Sequence, residues 1–80
     1  MHITQKVFKT YDLGLAASLV SLGFQLTDLE KSNPRKVLFI FQIEEGINEA
    51  IGDYWSDNLQ INARSHFDNI KMLKNRIYGS

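Results

Sequence analysis

The order of apolar and polar residues predicts that the chain begins with a short helix. Leu15, Leu19 and Leu22 recur at helical spacing after Asp12, and an Asp carboxylate at that place is suited to cap the first turn. Gly23 is suited to the left-handed position that ends a helix. We therefore expect a helix over residues 13–22. It contains no charged residue, so it is either covered nearly all round or part of a contact surface.

Two apolar runs on either side of the single proline predict an antiparallel hairpin. Residues 24–30 alternate at first, and Asp28 then breaks the phase, which indicates a bulge. Residues 36–43 hold five consecutive apolar residues, as in a buried strand. Pro34 lies in the basic turn between the two runs. Residues 5–10 are suited to a further short strand.

The second half of the chain predicts two more helices. Residues 44–56 have the clearest helical period, with an apolar face made of Ile47, Ala50, Ile51, Tyr54 and Trp55. Residues 59–61 are expected to form a three-residue strand, and Asn62 caps a last helix that runs to residue 78 and stops at Gly79. The residues that this helix is expected to turn inward are Ala63, Phe67, Ile70, Leu73 and Ile77.

These elements predict an α+β fold in the order (β)αββαβα. A small antiparallel sheet, made of the hairpin plus one or two short strands, is expected to pack against three helices. Eighty residues allow a single domain, over residues 1–80. A hydrophobic content of 44% with 22% charged residues is typical of a globular protein and excludes a disordered chain.

Several functional classes are disfavoured by what the sequence lacks. With no cysteine, disulfides, thiolate metal sites and cysteine nucleophiles are excluded. The longest uncharged stretch is too short to cross a bilayer, and no signal peptide is recognisable, so we expect a cytoplasmic protein without a membrane partner.

Catalytic candidates are equally scarce. The only histidines are His2 and His66, and no phosphate-binding glycine loop, paired-histidine motif or nucleophile elbow is present. We expect a protein that is not an enzyme and that uses no cofactor and no metal. An enzyme would need a deep pocket that holds His66 or paired carboxylates.

Charge is segregated along the chain although the formal net charge is zero. Residues 1–36 carry five basic and three acidic side chains. Residues 37–57 carry no basic and five acidic side chains, and residues 58–80 carry four basic and one acidic. The three segments therefore have net charges of +2, −5 and +3. We expect the opposite charges to lie on separate, water-facing sides of the protein, where each is accessible to a partner.

The acidic residues recur every four positions on the second predicted helix, namely Glu45, Glu49, Asp53 and Asp57. A row of this kind is either a solvated face or a docking face for a basic partner or a divalent cation. Trp55 on the same helix is the first candidate for an interface anchor, because tryptophan is enriched at binding hot spots. These five residues are the predicted contacts of a protein partner. One version is a homodimer in which the acidic helix of one copy meets the basic helix of the other.

The basic residues concentrate in the hairpin turn and the last helix. The candidate nucleic-acid contacts are Lys31, Arg35, Lys36, Arg64, Lys71 and Lys74. Turn chemistry and the helix dipole also explain basic residues at these places, and Asp68 within the helical row counts against phosphate binding. We expect Phe39 and Phe41 in the core rather than in base stacking, and Tyr11 and Tyr78 to pack with only their hydroxyls in water.

Nearly the whole chain resembles a family of small proteins. The segment Thr10-Tyr11-Asp12-Leu13-x-Leu15-Ala16-Ala17-x-Leu19, followed by Gly23-Phe24, resembles the opening of an uncharacterised domain family of phage and bacterial genomes. The central apolar strand, Tyr54-Trp55 and the closing run from Phe67 to Tyr78 extend the resemblance over about residues 8–78. The resemblance implies a shared fold and the accessory role of a mobile-element protein, and it transfers no functional residue.

The leading hypothesis is a non-enzymatic cytoplasmic binding or adaptor module of phage or prophage origin that acts through protein–protein contacts. The alternative is a nucleic-acid-binding accessory protein that uses the basic hairpin tip and the C-terminal helix.

Overall fold

The computed structural model describes residues 6–33 and 35–79 and shows a three-stranded sheet with three helices. The elements are β1 (Val7–Thr10), α1 (Leu13–Ser21), β2 (Leu26–Asn33), β3 (Lys36–Gln42), α2 (Ile47–Trp55) and α3 (Ala63–Tyr78). The strand order is β1-β3-β2, and β3 is antiparallel to both neighbours. The predicted α+β class is confirmed. No helix within the described ranges has the length and apolar character needed to span a bilayer.

The signals at the ends of α1 act as predicted. The Asp12 carboxylate accepts a hydrogen bond from the Leu15 amide at 2.9 Å and so caps the first turn. At the other end Gly23 has a φ of 96°, and the Phe24 amide donates to the Leu19 carbonyl. Together with the bond from the Gly23 amide to the Val20 carbonyl, this is a Schellman motif, which satisfies carbonyls that the helix leaves free.

The hairpin of β2 and β3 is confirmed, with its predicted bulge. The register shifts between Leu26 and Asp28, which leaves the intervening residue as the extra one. Asn33 pairs with Lys36, so the turn has two residues. The proline of this turn, like the first residue of the predicted strand 5–10, lies outside the described residues.

The core lies between the helices and one face of the sheet. Phe39 and Phe41 of β3 are fully buried, as expected. In α1 the five consecutive residues 15–19 are buried, because this helix packs against α3, α2 and β1. Leu38 and Ile40 alternate with the buried phenylalanines, so they point to the other face of the sheet, and both are only half-buried.

Three expectations for the second half of the chain are wrong. The strand predicted over residues 59–61 is not formed, and this segment is an irregular connection to α3. Helix α2 begins at Ile47 rather than at residue 44, because Gly46 has a left-handed φ of 90° that a helix cannot contain. Ala63 and Phe67 are exposed rather than buried. Phe67 lies about 120° around α3 from the buried Leu73, and this takes it off the packed face.

Burial within α1 leads to a direct test. Replacing the fully buried Leu19 with alanine removes contacts with neighbouring elements, and we expect the free energy of unfolding to fall by about 2–5 kcal/mol. Leu22, the exposed C-cap residue of the same helix, is the matched control, and Leu22→Ala is expected to cost less than about 1 kcal/mol. Urea unfolding followed by circular dichroism measures both. Equal losses would contradict the described packing of α1.

Candidate functional site

The basic hairpin tip lies against the C-terminal end of α3. The Lys31 ammonium donates a hydrogen bond to the Arg76 carbonyl in the last turn of that helix. A cation at this place satisfies a carbonyl that the helix leaves free and compensates the negative end of its dipole. In the turn itself the Asn33 side chain accepts from the Arg35 amide at 2.9 Å, which orders the tip. The hairpin tip and the C-terminal end of α3 are therefore adjacent.

Two tyrosines stand at this junction. Tyr11 and Tyr78 are 61% and 79% exposed, so the expectation that they pack with only their hydroxyls in water is wrong. They line a shallow cleft of about 190 Å³ together with Arg35 and Lys36. The Lys36 Nζ atom lies 5.8 Å from the centre of the Tyr11 ring, within the range of a cation–π interaction.

The outer face of α3 continues this pattern. Its exposed residues at helical spacing are Arg64, Phe67, Lys71, Lys74 and Tyr78. They fall within an arc of about 80°, and they extend over about 21 Å along the helix. Phe67 is 61% exposed, and the Lys71 Nζ atom lies 5.6 Å from the centre of its ring. Cations and aromatic rings thus share one stripe.

We call the stripe, the cleft and the hairpin tip together the basic–aromatic surface. Its members are Tyr11, Lys31, Arg35, Lys36, Arg64, Phe67, Lys71, Lys74 and Tyr78. All six basic residues predicted from the sequence as nucleic-acid contacts belong to it. They differ in availability, because Lys31 donates to a helix carbonyl while Lys74 is exposed on the stripe. Asp68 lies at the border of the stripe rather than within it, about 40° from Arg64.

The predicted acidic contacts do not form a single helical row. Glu45 precedes α2 and Asp57 follows it, so only Glu49 and Asp53 lie within the helix. Trp55 is 63% exposed, but it lies about 120° or more around α2 from either of those two acids. The candidate anchor and the acidic residues therefore occupy different sides of α2. Across the described ranges, no group of three or more acidic or histidine side chains is placed to hold a metal ion.

A second depression lies at the other end of α3 and contains His66. Its volume is about 330 Å³, and its lining is Ser18, Tyr54, Asp57, Leu59, Ile61, Ala63 and His66. The His66 Nε2 atom lies 3.2 Å from the Gly14 carbonyl oxygen, and the Ser18 hydroxyl donates to the same oxygen at 2.8 Å. Both side chains donate to one acceptor, so Ser18 and His66 are not arranged as a nucleophile hydrogen-bonded to its base.

Tyr54 joins this depression to the cap of α1. Its hydroxyl donates to the Asp12 carboxylate at 3.3 Å. Burial of the ring, followed by the nearby Asp12 charge and this hydrogen bond, raises the pKa of the Tyr54 hydroxyl above its ordinary value of 10.0. Tyr54 therefore stays protonated throughout the physiological range and keeps its hydrogen on Asp12.

The sequence could have indicated part of the basic–aromatic surface and not the rest. Phe67, Lys71, Lys74 and Tyr78 have 4-3-4 spacing, which places them on one face of a helix. The usual burial of aromatic residues predicts the opposite for Phe67. The approach of Tyr11 to Tyr78 joins residues 67 positions apart, and only the tertiary fold brings them together.

Comparison with known proteins places the chain by its sequence. A family model described as a domain of unknown function, DUF5659, matches residues 5–79. No significant match was found among curated proteins or solved structures.

The raised pKa of Tyr54 has a testable consequence. In the unfolded chain tyrosine ionises near pH 10.0, whereas in the fold burial, the Asp12 charge and the hydrogen bond to Asp12 oppose the ionisation of Tyr54. The tyrosine contribution to stability is therefore complete below about pH 10 and is lost as pH rises through the folded-state pKa. We expect the free energy of unfolding to fall less between pH 9 and about 11 in Tyr54→Phe than in the wild type, by urea titration at each pH. Identical slopes would contradict the assignment, since lysine titration is common to both proteins.

Proposed function

We propose that this chain, which belongs to the DUF5659 family of domains of unknown function, is a small non-enzymatic module that binds single-stranded nucleic acid on its basic–aromatic surface. The observation that carries the proposal is the cleft in which two exposed tyrosines, Tyr11 and Tyr78, stand beside Arg35 and Lys36. Single-strand binders combine these two elements, a cationic track for the phosphates and aromatic rings on which bases stack.

Ring exposure favours a single strand over a duplex. The rings of Tyr11, Phe67 and Tyr78 are accessible, and a stacked base would bury them together with its own face. In a duplex the bases are already stacked on each other, so exposed rings that lie outside a groove form few stacking contacts with them. Direct readout of a duplex also needs polar side chains that reach the base edges, whereas the stripe on α3 offers mainly lysines and rings.

The internal contacts of the surface also support the proposal. Lys36 lies over the Tyr11 ring and Lys71 over the Phe67 ring, so cations are held close to the stacking platforms. A nucleotide whose base stacks on either ring would place its phosphate near an ammonium group. Lys31 offsets the negative end of the α3 dipole, which would otherwise repel phosphates near Tyr78.

We extend the proposal to a cytoplasmic protein of phage or prophage origin. The resemblance to a family of phage and bacterial genomes supports this origin, and accessory proteins of mobile elements commonly act on nucleic acid.

The binding test uses salt and substitution together. We expect a fluorescently labelled single strand of about 12 nucleotides, DNA or RNA, to bind with an affinity that falls as salt is raised. Tyr78→Ala should weaken binding by about 1–3 kcal/mol, the value of one stacked base. Lys74→Ala should reduce the slope of log affinity against log salt by about 0.7, the value for one lost phosphate contact on a single strand. Fluorescence anisotropy at several salt concentrations measures these effects.

The matched control is Lys6, an exposed lysine at the opposite end of the first strand from Tyr11. Lys6→Ala removes the same charge as Lys74→Ala outside the basic–aromatic surface, so the salt slope should not change. No binding at low salt would refute the proposal. So would an equal effect of the Lys6 and Lys74 substitutions, because it would mean that only the total charge matters.

A second candidate function is contact with a protein partner through Trp55. A tryptophan that is 63% exposed is uncommon on a surface without a partner, and its ring is held edge-on against Tyr54 at 5.0 Å between ring centres. The opposite charges of α2 and α3 support the homodimer version. In that arrangement Glu49 and Asp53 of one copy meet the basic helix of another.

Homodimer formation is tested by sedimentation velocity at low and high salt. If acidic and basic helices hold two copies together, the wild type is expected to sediment as a dimer at low salt and as a monomer at high salt. Glu49→Gln should shift the low-salt protein toward the monomer, whereas Asp28→Asn, an exposed carboxylate of β2 outside the acidic side of α2, should not. A monomer under both conditions would refute the homodimer.

A further inference from the structure

The two hydroxyl groups of the depression that contains His66 present hydrogen-bond acceptors rather than donors. The Ser18 hydroxyl and the His66 Nε2–H both donate to the Gly14 carbonyl, and the Tyr54 hydroxyl donates to the Asp12 carboxylate. The Ser18 and Tyr54 hydroxyls have thus used their hydrogens within the protein. What these two groups offer a ligand is the lone pairs of their oxygens.

Acidic residues lie in and beside this depression. Asp57 is one of the residues that line it, and Asp12 accepts the hydrogen bond of the Tyr54 hydroxyl. Asp53 is half-buried one helical turn before Asp57. A carboxylate that accepts from a charged donor forms a shorter and stronger hydrogen bond than one between neutral groups.

The remaining walls are apolar. Leu59 and Ile61, from the connection between α2 and α3, are half-buried and line the depression with Ala63. This explains why residues 59–61 pack although they form no strand. An apolar wall beside a group of acceptors fits a ligand that has an alkyl chain and ends in a charged donor.

We propose that this depression binds an alkyl guanidinium or alkyl ammonium group, with the cation at Asp57 and the chain against Leu59 and Ile61. The site is separate from the basic–aromatic surface and does not depend on nucleic-acid binding. Two sources supply this chemistry, a free small cation and an arginine or lysine side chain of a bound protein.

The test compares two ligands of nearly the same shape by nuclear magnetic resonance. Butylguanidinium carries the charge, and N-butylurea is its neutral counterpart. We expect butylguanidinium to cause saturable shifts of the Leu59, Ile61 and Ala63 amides, and N-butylurea to bind at least about tenfold more weakly, as for the loss of one charge-assisted hydrogen bond. Equal binding of the two ligands, or no shift with either, would overturn the proposal.

Two substitutions locate the site. Asp57→Asn removes the charge and is compatible with the positive φ of 62° at this residue, because asparagine tolerates that conformation. It should weaken butylguanidinium binding at least about tenfold, whereas Asp68→Asn, an exposed carboxylate of α3 outside the depression, should not. Ala63→Leu should block binding by filling the space. Unchanged unfolding midpoints show that the variants are folded, and unchanged binding by Asp57→Asn would refute the assignment.

The source of the cation is resolved with a third ligand. A blocked Gly-Arg-Gly tripeptide presents the same side chain on a peptide backbone. Tighter binding than that of butylguanidinium supports an arginine of a protein partner, and equal or weaker binding supports a free small cation.

Discussion

The burial of α1 is the constraint on which the rest of the fold depends. Residues 15–19 are buried without interruption, so the helix has neighbours on all sides. Burying one large apolar side chain contributes about 1.5–3 kcal/mol, and Leu15 and Leu19 both provide it. The polar groups of such a helix must be satisfied locally, and the Ser18 and Ser21 hydroxyls donate to carbonyls one turn earlier.

The same constraint decides how α3 is oriented. Its polar residues on the inner side bond to α1: His66 donates to the Gly14 carbonyl, and Asn69 donates to the Ser21 hydroxyl at 2.9 Å. With these residues and Leu73 turned inward, the cations and rings at the other helical positions must face water. The basic–aromatic surface is thus the complement of the contact between α1 and α3. The depression that contains His66 arises at that contact as well, because the Ser18 hydroxyl of α1 and the His66 Nε2–H of α3 both donate to the Gly14 carbonyl of α1.

Local signals predicted the elements, and long-range packing decided the exceptions. Asp12, Gly23 and Asn62 act within one turn of a helix, so their roles follow from the sequence alone. Phe67 is different, because its exposure depends on which face of α3 meets α1, and hydrophobicity alone predicted the opposite. The meeting of Tyr11 and Tyr78 and the lining of the depression depend equally on tertiary contacts. Those contacts join elements far apart in sequence, and no periodicity encodes them.

The zero net charge of the chain limits how the basic–aromatic surface can bind. A strongly cationic protein attracts nucleic acid over long distances. Here the five acidic residues of segment 37–57 balance the basic residues of the chain. Salt screens the attraction of the remaining local charge beyond about one Debye length, roughly 8 Å at physiological salt. Affinity must then come from groups that act in contact. Three exposed rings beside lysines supply such groups, since stacking does not depend on net charge. For this reason the placement of Tyr11, Phe67 and Tyr78 is more informative about function than the number of basic residues.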